Sequence, residues 1–299
     1  MAIIKRARTK GARVASSSEA APGTREDASG RPGEATGAPG EAGASPTPAT
    51  STPTGPQRRA TRRSVIAGSW PVLLLRTAHP RQALLTAVGL AVAAALSGRS
   101  VPEVGLVLAT ALVGQAILGW HNDLVDRTRD RRHDPVGKPV GGGLLDPGTV
   151  WFALICGVLL VVPLSISNGV TAGSAYLIAL VVGLLGNVVL RRGLLSWLPW
   201  AVSYALYPAF LSYGGLGGDA AGSPPEISIT VLAALLGVGV HVLRALPGLV
   251  ADHEDGWRSL PLRVALKTGA TRLLVISLAW TALCLAGLLV TGSLVGLSQ

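Results

Sequence analysis

From residue 80 onward, long apolar runs alternate with short charged or turn-forming stretches. Seven runs approach the roughly 20 residues that a membrane-crossing helix needs: 80–98, 102–121, 149–167, 171–190, 193–213, 227–247 and 271–291. No charged residue occurs between 147 and 190. The break between the third and fourth runs is the turn Ser167-Asn168-Gly169, and Arg191-Arg192 separates the fourth from the fifth. Before the first run, residues 66–78 read as a short interfacial helix with Trp70 and Pro71 at its start. The pattern predicts an all-α, multi-spanning membrane helical bundle of about seven transmembrane helices. Pro199 and Pro208 are expected to kink the fifth.

Upstream the pattern changes. Residues 1–64 are rich in Ala, Gly, Ser, Thr and Pro and lack the apolar core of a signal peptide. Such a stretch buries too little apolar surface to offset its ordering entropy, so it reads as a disordered tail ahead of a membrane domain at 65–299. Its basic ends, Lys5 to Arg13 and Arg58 to Arg63, suit contact with anionic membrane lipids.

Composition agrees with a membrane chain: 49% hydrophobic, 14% charged, mean hydropathy +0.47. Residues 1–65 hold 11 Lys and Arg against 5 Asp and Glu, and so most of the net charge of +10. No basic patch with interleaved aromatics appears, which excludes a nucleic-acid partner. Cys156 and Cys284 lie in separate apolar runs, without metal or disulfide spacing, and read as small buried residues.

Loop charge predicts orientation. The tail, the 122–148 loop, Arg191-Arg192 and the 249–270 loop hold nearly all the Lys and Arg; the alternating loops hold almost none. By the positive-inside rule, the N-terminus and both Asp-bearing loops are cytoplasmic, at a membrane read as a bacterial plasma membrane.

Those two loops carry the candidate chemistry. In the first, Asp123, Asp126 and Asp130 are spaced i, i+3, i+7, which stacks three carboxylates on one face of a helix. Three stacked anions need a cation, and Mg²⁺ typically takes one or two carboxylates plus substrate phosphates. Asn122 adds a neutral acceptor, and Arg127, Arg129, Arg131 and Arg132 interleave with the aspartates. Lys138 follows as a point charge for phosphate, ahead of Pro139 and the backbone-permissive Gly141-Gly142-Gly143. In the second loop, Asp252 and Asp255 are a turn apart, with Glu254 projecting elsewhere. Upstream, His241 and Arg244 are ionisable residues near the end of an apolar run, which makes them functional candidates; snorkelling for Arg244 and a satisfied buried histidine for His241 are the alternatives. Tyr204 and Tyr207, with Trp197, Trp200 and Tyr213, read either as an acceptor pocket and cation–π wall or as an interfacial aromatic belt. Two acidic loops at one membrane face suit a two-metal diphosphate site whose isoprenoid tail enters the hydrocarbon.

At Asn122-Asp123-Leu124-Val125-Asp126-Arg127-Thr128-Arg129-Asp130, followed by Lys138-Pro139 and Gly141, the chain resembles the UbiA superfamily of membrane prenyltransferases. The stretch from His241 to Pro261 is similar to that family's second motif, with Gly256 and Leu260-Pro261 fitting its trailing part. The resemblance covers residues 65–291. It implies a helical bundle, usually of nine transmembrane helices, around a lipid-open cavity. It further implies Mg²⁺ held by Asp123, Asp126 and Asp130 on one side and by Asp252 and Asp255 on the other. Asp123, Asp126, Asp130 and Lys138 would be catalytic. Asn122, Arg131, Lys138, His241, Arg244, Tyr204 and Tyr207 would contact substrate. A prenyl diphosphate would ionise to an allylic cation that an acceptor attacks.

The chain departs from the family in two places. Gly248 stands where the second motif commonly has its first aspartate, four before Asp252, and only one span follows residue 270. Two functional readings follow: a Mg²⁺-dependent prenyltransferase, or a catalytically impaired membrane protein that binds a lipid diphosphate or a partner without turnover. A transporter is disfavoured, because transporters place ionisable residues near the midplane. Aromatic acids, quinone precursors, tetrapyrroles and glycerol phosphates all remain acceptor classes.

Overall fold

A computed structural model describes residues 68–215 and 222–295. The expected tail at 1–64 lies outside the described residues.

The described residues form helices without strands. A short helix α1 (Trp70–Thr77) opens on Ser69 with Pro71 in its first turn. Then come α2 (Pro80–Leu96), α3 (Val101–His133), α4 (Pro147–Ser167), α5 (Val170–Gly186), α6 (Leu198–Ser212), α7 (Ile227–Ala245), the short α8 (Leu249–Glu254), α9 (Leu260–Thr268) and α10 (Ala270–Val295). Single 3₁₀ turns precede α6, at Leu194–Trp197, and join α7 to α8, at Leu246–Gly248.

The starts are written locally. Ser100 and Glu103 form a capping box on α3, with the Ser100 backbone N–H and hydroxyl donating to Glu103 Oε2 at 2.8 and 2.7 Å. Asp146 caps α4 by accepting from Thr149 N–H at 3.0 Å, with Pro147 opening the helix.

Among the described residues, five helical segments are long and apolar enough to cross a membrane: Val101–His133, Pro147–Ser167, Leu194–Ser212, Ile227–Glu254 and Ala270–Leu294. The other two expected spans are α2 and α5, of 17 residues each. At 1.5 Å per residue each is about 25 Å long, short of a roughly 30 Å hydrocarbon core.

Consecutive apolar helices pack on one another from α2 to α7, and α10 packs on α7. Contacts of α2 with α6 and of α3 with α5 close the centre. The core there holds Ala87, Val107, Ala111, Ile117, Val150, Val161, Tyr176 and Phe210. Leu85, Phe152, Leu159 and Leu283 point outward and are at least 70% exposed. In water such faces would aggregate; in a bilayer, lipid solvates them. Several polar groups among the helices bond within the protein, as a hydrocarbon medium favours. Asn168 Nδ2 donates to Thr110 Oγ1 at 3.1 Å and to the Leu164 carbonyl at 2.8 Å. Ser203 Oγ donates to the Ala179 carbonyl at 2.9 Å.

Three expectations need correction. The first Asp cluster is not in a loop: α3 runs unbroken to His133, past the expected end of its span at 121. Pro199 does not kink its helix, because it stands in the first turn of α6, where a missing N–H costs no bond. Cys156 is exposed rather than buried, whereas Cys284 is buried as expected.

The junction of α1 and α2 lies directly on α3. Trp120 Nε1 donates to the Leu74 carbonyl at 3.0 Å, and a Cβ at Gly119 would meet the Ala78 backbone at 2.7 Å. Backbone cannot yield as a flexible side chain can. Gly119→Val should therefore cost about 1–3 kcal/mol and lower the unfolding temperature in detergent. Gly105→Val, with nothing within 4 Å of its Cβ, should change it little. Equal melting of the two variants would refute this account of the junction.

Candidate functional site

The end of α3 carries the acidic stripe. Asp123, Asp126 and Asp130 are all buried. The carboxylates face two cations from outside α3, Lys138 at Asp123 and Asp130 and Arg191 at Asp126. Asp123 Oδ1 accepts from Lys138 Nζ at 2.8 Å and lies 2.9 Å from His79 Nε2. Asp126 pairs with Arg191 Nη1 and accepts from Asn122 Nδ2 at 3.1 Å. Asp130 lies 3.8 Å from Lys138 Nζ, and its buried Oδ2 has no hydrogen-bond partner.

His79 is the linker between α1 and α2. Its φ of 52° makes it the one non-glycine residue in the left-handed region among the described residues. The residue before a proline avoids helical geometry, and a strained backbone of this kind costs about 1–3 kcal/mol. The strain aims the imidazole at Asp123.

On the next stripe of α3, Arg129 and His133 are i, i+4 neighbours that face α8. Arg129 Nη2 donates to Asp252 Oδ1 and its Nε to Asp255 Oδ2, both at 2.6 Å. His133 Nε2 lies 3.1 Å from Asp255 Oδ1, and Arg132 reaches the same oxygen at 3.5 Å. Glu254, expected to project elsewhere, also reaches His133, at 3.4 Å. Desolvation pushes the Asp255 carboxyl up. The bonds from Arg129 and His133 outweigh it, so the group sits below the ordinary carboxylate range. Trp257 completes this side: the Arg129, Arg191 and Arg192 guanidinium carbons lie 4.2, 5.1 and 5.7 Å from its ring centroid.

The two acidic clusters thus meet at one end of the bundle, joined through Arg129. The remaining predicted residues do not all join them. Arg131 is exposed and donates to the Gly141 carbonyl at 3.3 Å. Lys138 sits on the first cluster itself. His241, Arg244, Tyr204 and Tyr207 form a separate inner group around Trp200. Arg244 lies 4.8 Å over the Trp200 ring, and His241 packs 5.7 Å from it and 3.1 Å from Ser196 Oγ. Trp200, Tyr204 and Tyr207 continue along α6 with ring separations of 6.5 and 5.1 Å, and Gln115 Nε2 donates to the Tyr207 hydroxyl at 3.5 Å. Gln115 is eight residues from Asp123 on α3, so the Tyr207 end of this group lies about 12 Å from that carboxylate along the helix.

Sequence reasoning missed His79 and the pairings of Arg129, Arg191 and Trp257. Arg191 stood out only as a span separator, and Arg129 only as one of several arginines.

The donors fit Mg²⁺ in kind, since carboxylates and an amide are hard oxygen ligands and Asp130 Oδ2 takes no hydrogen bond. No group of three or more His, Cys, Asp or Glu side chains among the described residues is already gathered for a metal. Lys138, Arg191 and Arg129 already pair with these carboxylates.

Removing Arg129 leaves two partly buried carboxylates short of their main partner. Arg129→Ala should destabilise the protein by about 3 kcal/mol, whereas Arg132→Ala, exposed and at longer range, should cost under about 1 kcal/mol. Denaturant melts in detergent compare them. Because the Asp255 carboxyl is lowered, its contribution is present above the ordinary carboxylate range and lost as pH falls through the depressed value. The gap between wild type and Arg129→Ala should therefore narrow on acidification; a gap that widens would contradict the assignment.

No protein-family model matches the sequence, and no curated protein does. Solved structures do match in shape. A UbiA homolog from Archaeoglobus fulgidus bound to GPP and Mg²⁺ matches with a TM-score of 0.56 and 19% identity, over 72% of this chain and 76% of that one. The same homolog bound to DMAPP and Mg²⁺ gives 0.55 and 20%, over 72% and 75%. Its Cd²⁺-bound form gives 0.53 and 18%, over 74% and 88%. At this identity the likeness is one of fold: the chain is a membrane protein whose fold is like that of the A. fulgidus UbiA homolog.

Proposed function

We propose that this protein is an integral membrane prenyltransferase, moving an isoprenoid group from a prenyl diphosphate to an aromatic, quinone-precursor or other lipid-pathway acceptor with the help of Mg²⁺. The observation that carries this reading is the buried Asp123–Asp126–Asp130 stripe at the polar end of a membrane helix, with one carboxylate oxygen, Asp130 Oδ2, taking no hydrogen bond and meeting only Lys138 at 3.8 Å. That the A. fulgidus homolog holds GPP or DMAPP with Mg²⁺ supports it.

Asp123, Asp126 and Asp130, with Asn122, would hold Mg²⁺, which supplies Lewis-acid stabilisation of the leaving diphosphate. Lys138 and Arg191, now neutralised by Asp123 and Asp126, would donate to diphosphate oxygens as negative charge grows on the leaving group. The isoprenoid chain extends into the bundle, toward the faces of Trp200, Tyr204 and Tyr207. Those faces attract a cation, and the apolar surroundings keep water from it. Arg244 and His241 stand beside this aromatic row, where they suit the acceptor better than the diphosphate. The acidic end faces the cytoplasm of a cell membrane, following the Lys and Arg bias of the connections. Membrane lipid surrounds the rest.

A second reading, binding without turnover, is favoured by the Arg129 bridge across Asp252 and Asp255 and by Gly248. Purified protein in detergent, given radiolabelled geranyl diphosphate and Mg²⁺, distinguishes the two. Turnover predicts Mg²⁺-dependent release of diphosphate that stops with chelator and returns with added Mg²⁺. Retention of label without release would establish the second reading. Asp126→Ala should lower release by about 10²-fold or more while the protein stays folded and monodisperse. Undiminished release by that variant would remove Asp126 from the site.

A further inference from the structure

Asp252 and Asp255 are the acidic pair that, by position, would hold a second metal ion. In this chain they already hold a cation. Arg129 forks across them with two charge-assisted bonds of 2.6 Å, one to each carboxylate. Such a planar fork matches paired oxygens in a way a lysine cannot. The guanidinium is fixed from a third side by Trp257, 4.2 Å away, whose own backbone N–H donates to the Asp252 carbonyl at 2.9 Å. The remaining Asp255 oxygen meets His133 and Arg132. The arginine is half-buried, with 18% of its side chain exposed against 10% and 12% for the two carboxylates, so solvent does little to loosen the bridge.

Gly248 completes the argument. A Cβ there would sit 4.0 Å from Asp252 Oδ1, so this is the position from which a third carboxylate would reach the pair, and the chain has no side chain at it. The first cluster differs on each count. It has three carboxylates and an amide, its cations are the single side chains Lys138 and Arg191, and Asp130 Oδ2 takes no hydrogen bond and meets Lys138 only at 3.8 Å.

We propose that Arg129 occupies the place of a second metal ion, so that the protein takes up its diphosphate with one divalent ion on Asp123, Asp126 and Asp130. The Asp252–Asp255 pair anchors Arg129 instead of ligating metal. This inference rests on the prenyl diphosphate reading above.

The test counts ions rather than turnover. Full-length protein in detergent is dialysed to equilibrium against Mn²⁺ with geranyl S-thiolodiphosphate, a donor analogue that resists ionisation. Bound Mn²⁺ is read by electron paramagnetic resonance. Wild type should bind one ion per chain. Asp126→Asn should lose it, and Asp252→Asn should keep it. Arg129→Gln, which frees the acidic pair, should raise the count to two. The proposal is overturned by two ions in wild type, by loss of the ion in Asp252→Asn, by its retention in Asp126→Asn, or by a count of one in folded Arg129→Gln. If Arg129→Gln does not fold, the wild-type count and the two aspartate variants decide alone. No bound ion in wild type would instead refute the Mg²⁺–diphosphate reading itself and take the inference with it.

Discussion

Charge compensation at the edge of an apolar bundle governs this structure. Five aspartates are drawn together at one end of the helices, where burial makes an unpaired carboxylate costly. The fold answers with cations from three places: the loop after α3, the connection before α6, and α3 itself. Lys138 reaches back 15 residues to Asp123, while Arg191 and Arg129 reach across 65 and 126 residues to Asp126 and Asp255. These pairings tie the connections together at that end of the bundle, beside the buried Leu124, Val140 and Leu249. The same arrangement that neutralises the carboxylates keeps Lys and Arg within reach of an anionic headgroup.

Packing below that layer is of a different kind. The helices meet through small residues and aliphatic side chains, and several polar groups bond within the bundle. The row from Trp200 to Tyr207 lies between the two regimes. It has polar tips, such as the Tyr207 hydroxyl bonded to Gln115, but broad apolar faces. A chain entering from the acidic end would therefore pass from ion pairs to ring faces to aliphatic core.

Much of this was legible in the sequence. Apolar periodicity and turn residues located every major helix, and the i, i+3, i+7 spacing placed Asp123, Asp126 and Asp130 on one stripe. The helix continued past residue 121 because nothing in Leu124 to His133 breaks it; polarity there was mistaken for a loop. Which arginine meets which carboxylate was not legible. Arg127, Arg129, Arg131 and Arg132 look alike as letters, and the partners that distinguish them lie on α8, more than a hundred residues away. His79 gave no signal either, since its left-handed backbone follows from how α1 sits against Gly119 rather than from its neighbours in the chain. Gly248 was legible as a departure, but its meaning came only with Arg129 beside it.

The continuity of α3 has a mechanical consequence. Its 33 residues make a rod about 50 Å long, well beyond the roughly 30 Å of hydrocarbon it crosses. The carboxylates ride on the projecting end of the same rod whose apolar turns are matched to the bilayer. A thinner or thicker membrane is accommodated by tilting such a helix, and tilt changes the height of its tip above the lipid. The acidic end is thus geared to membrane thickness, whereas a site carried on a flexible loop would be insulated from it.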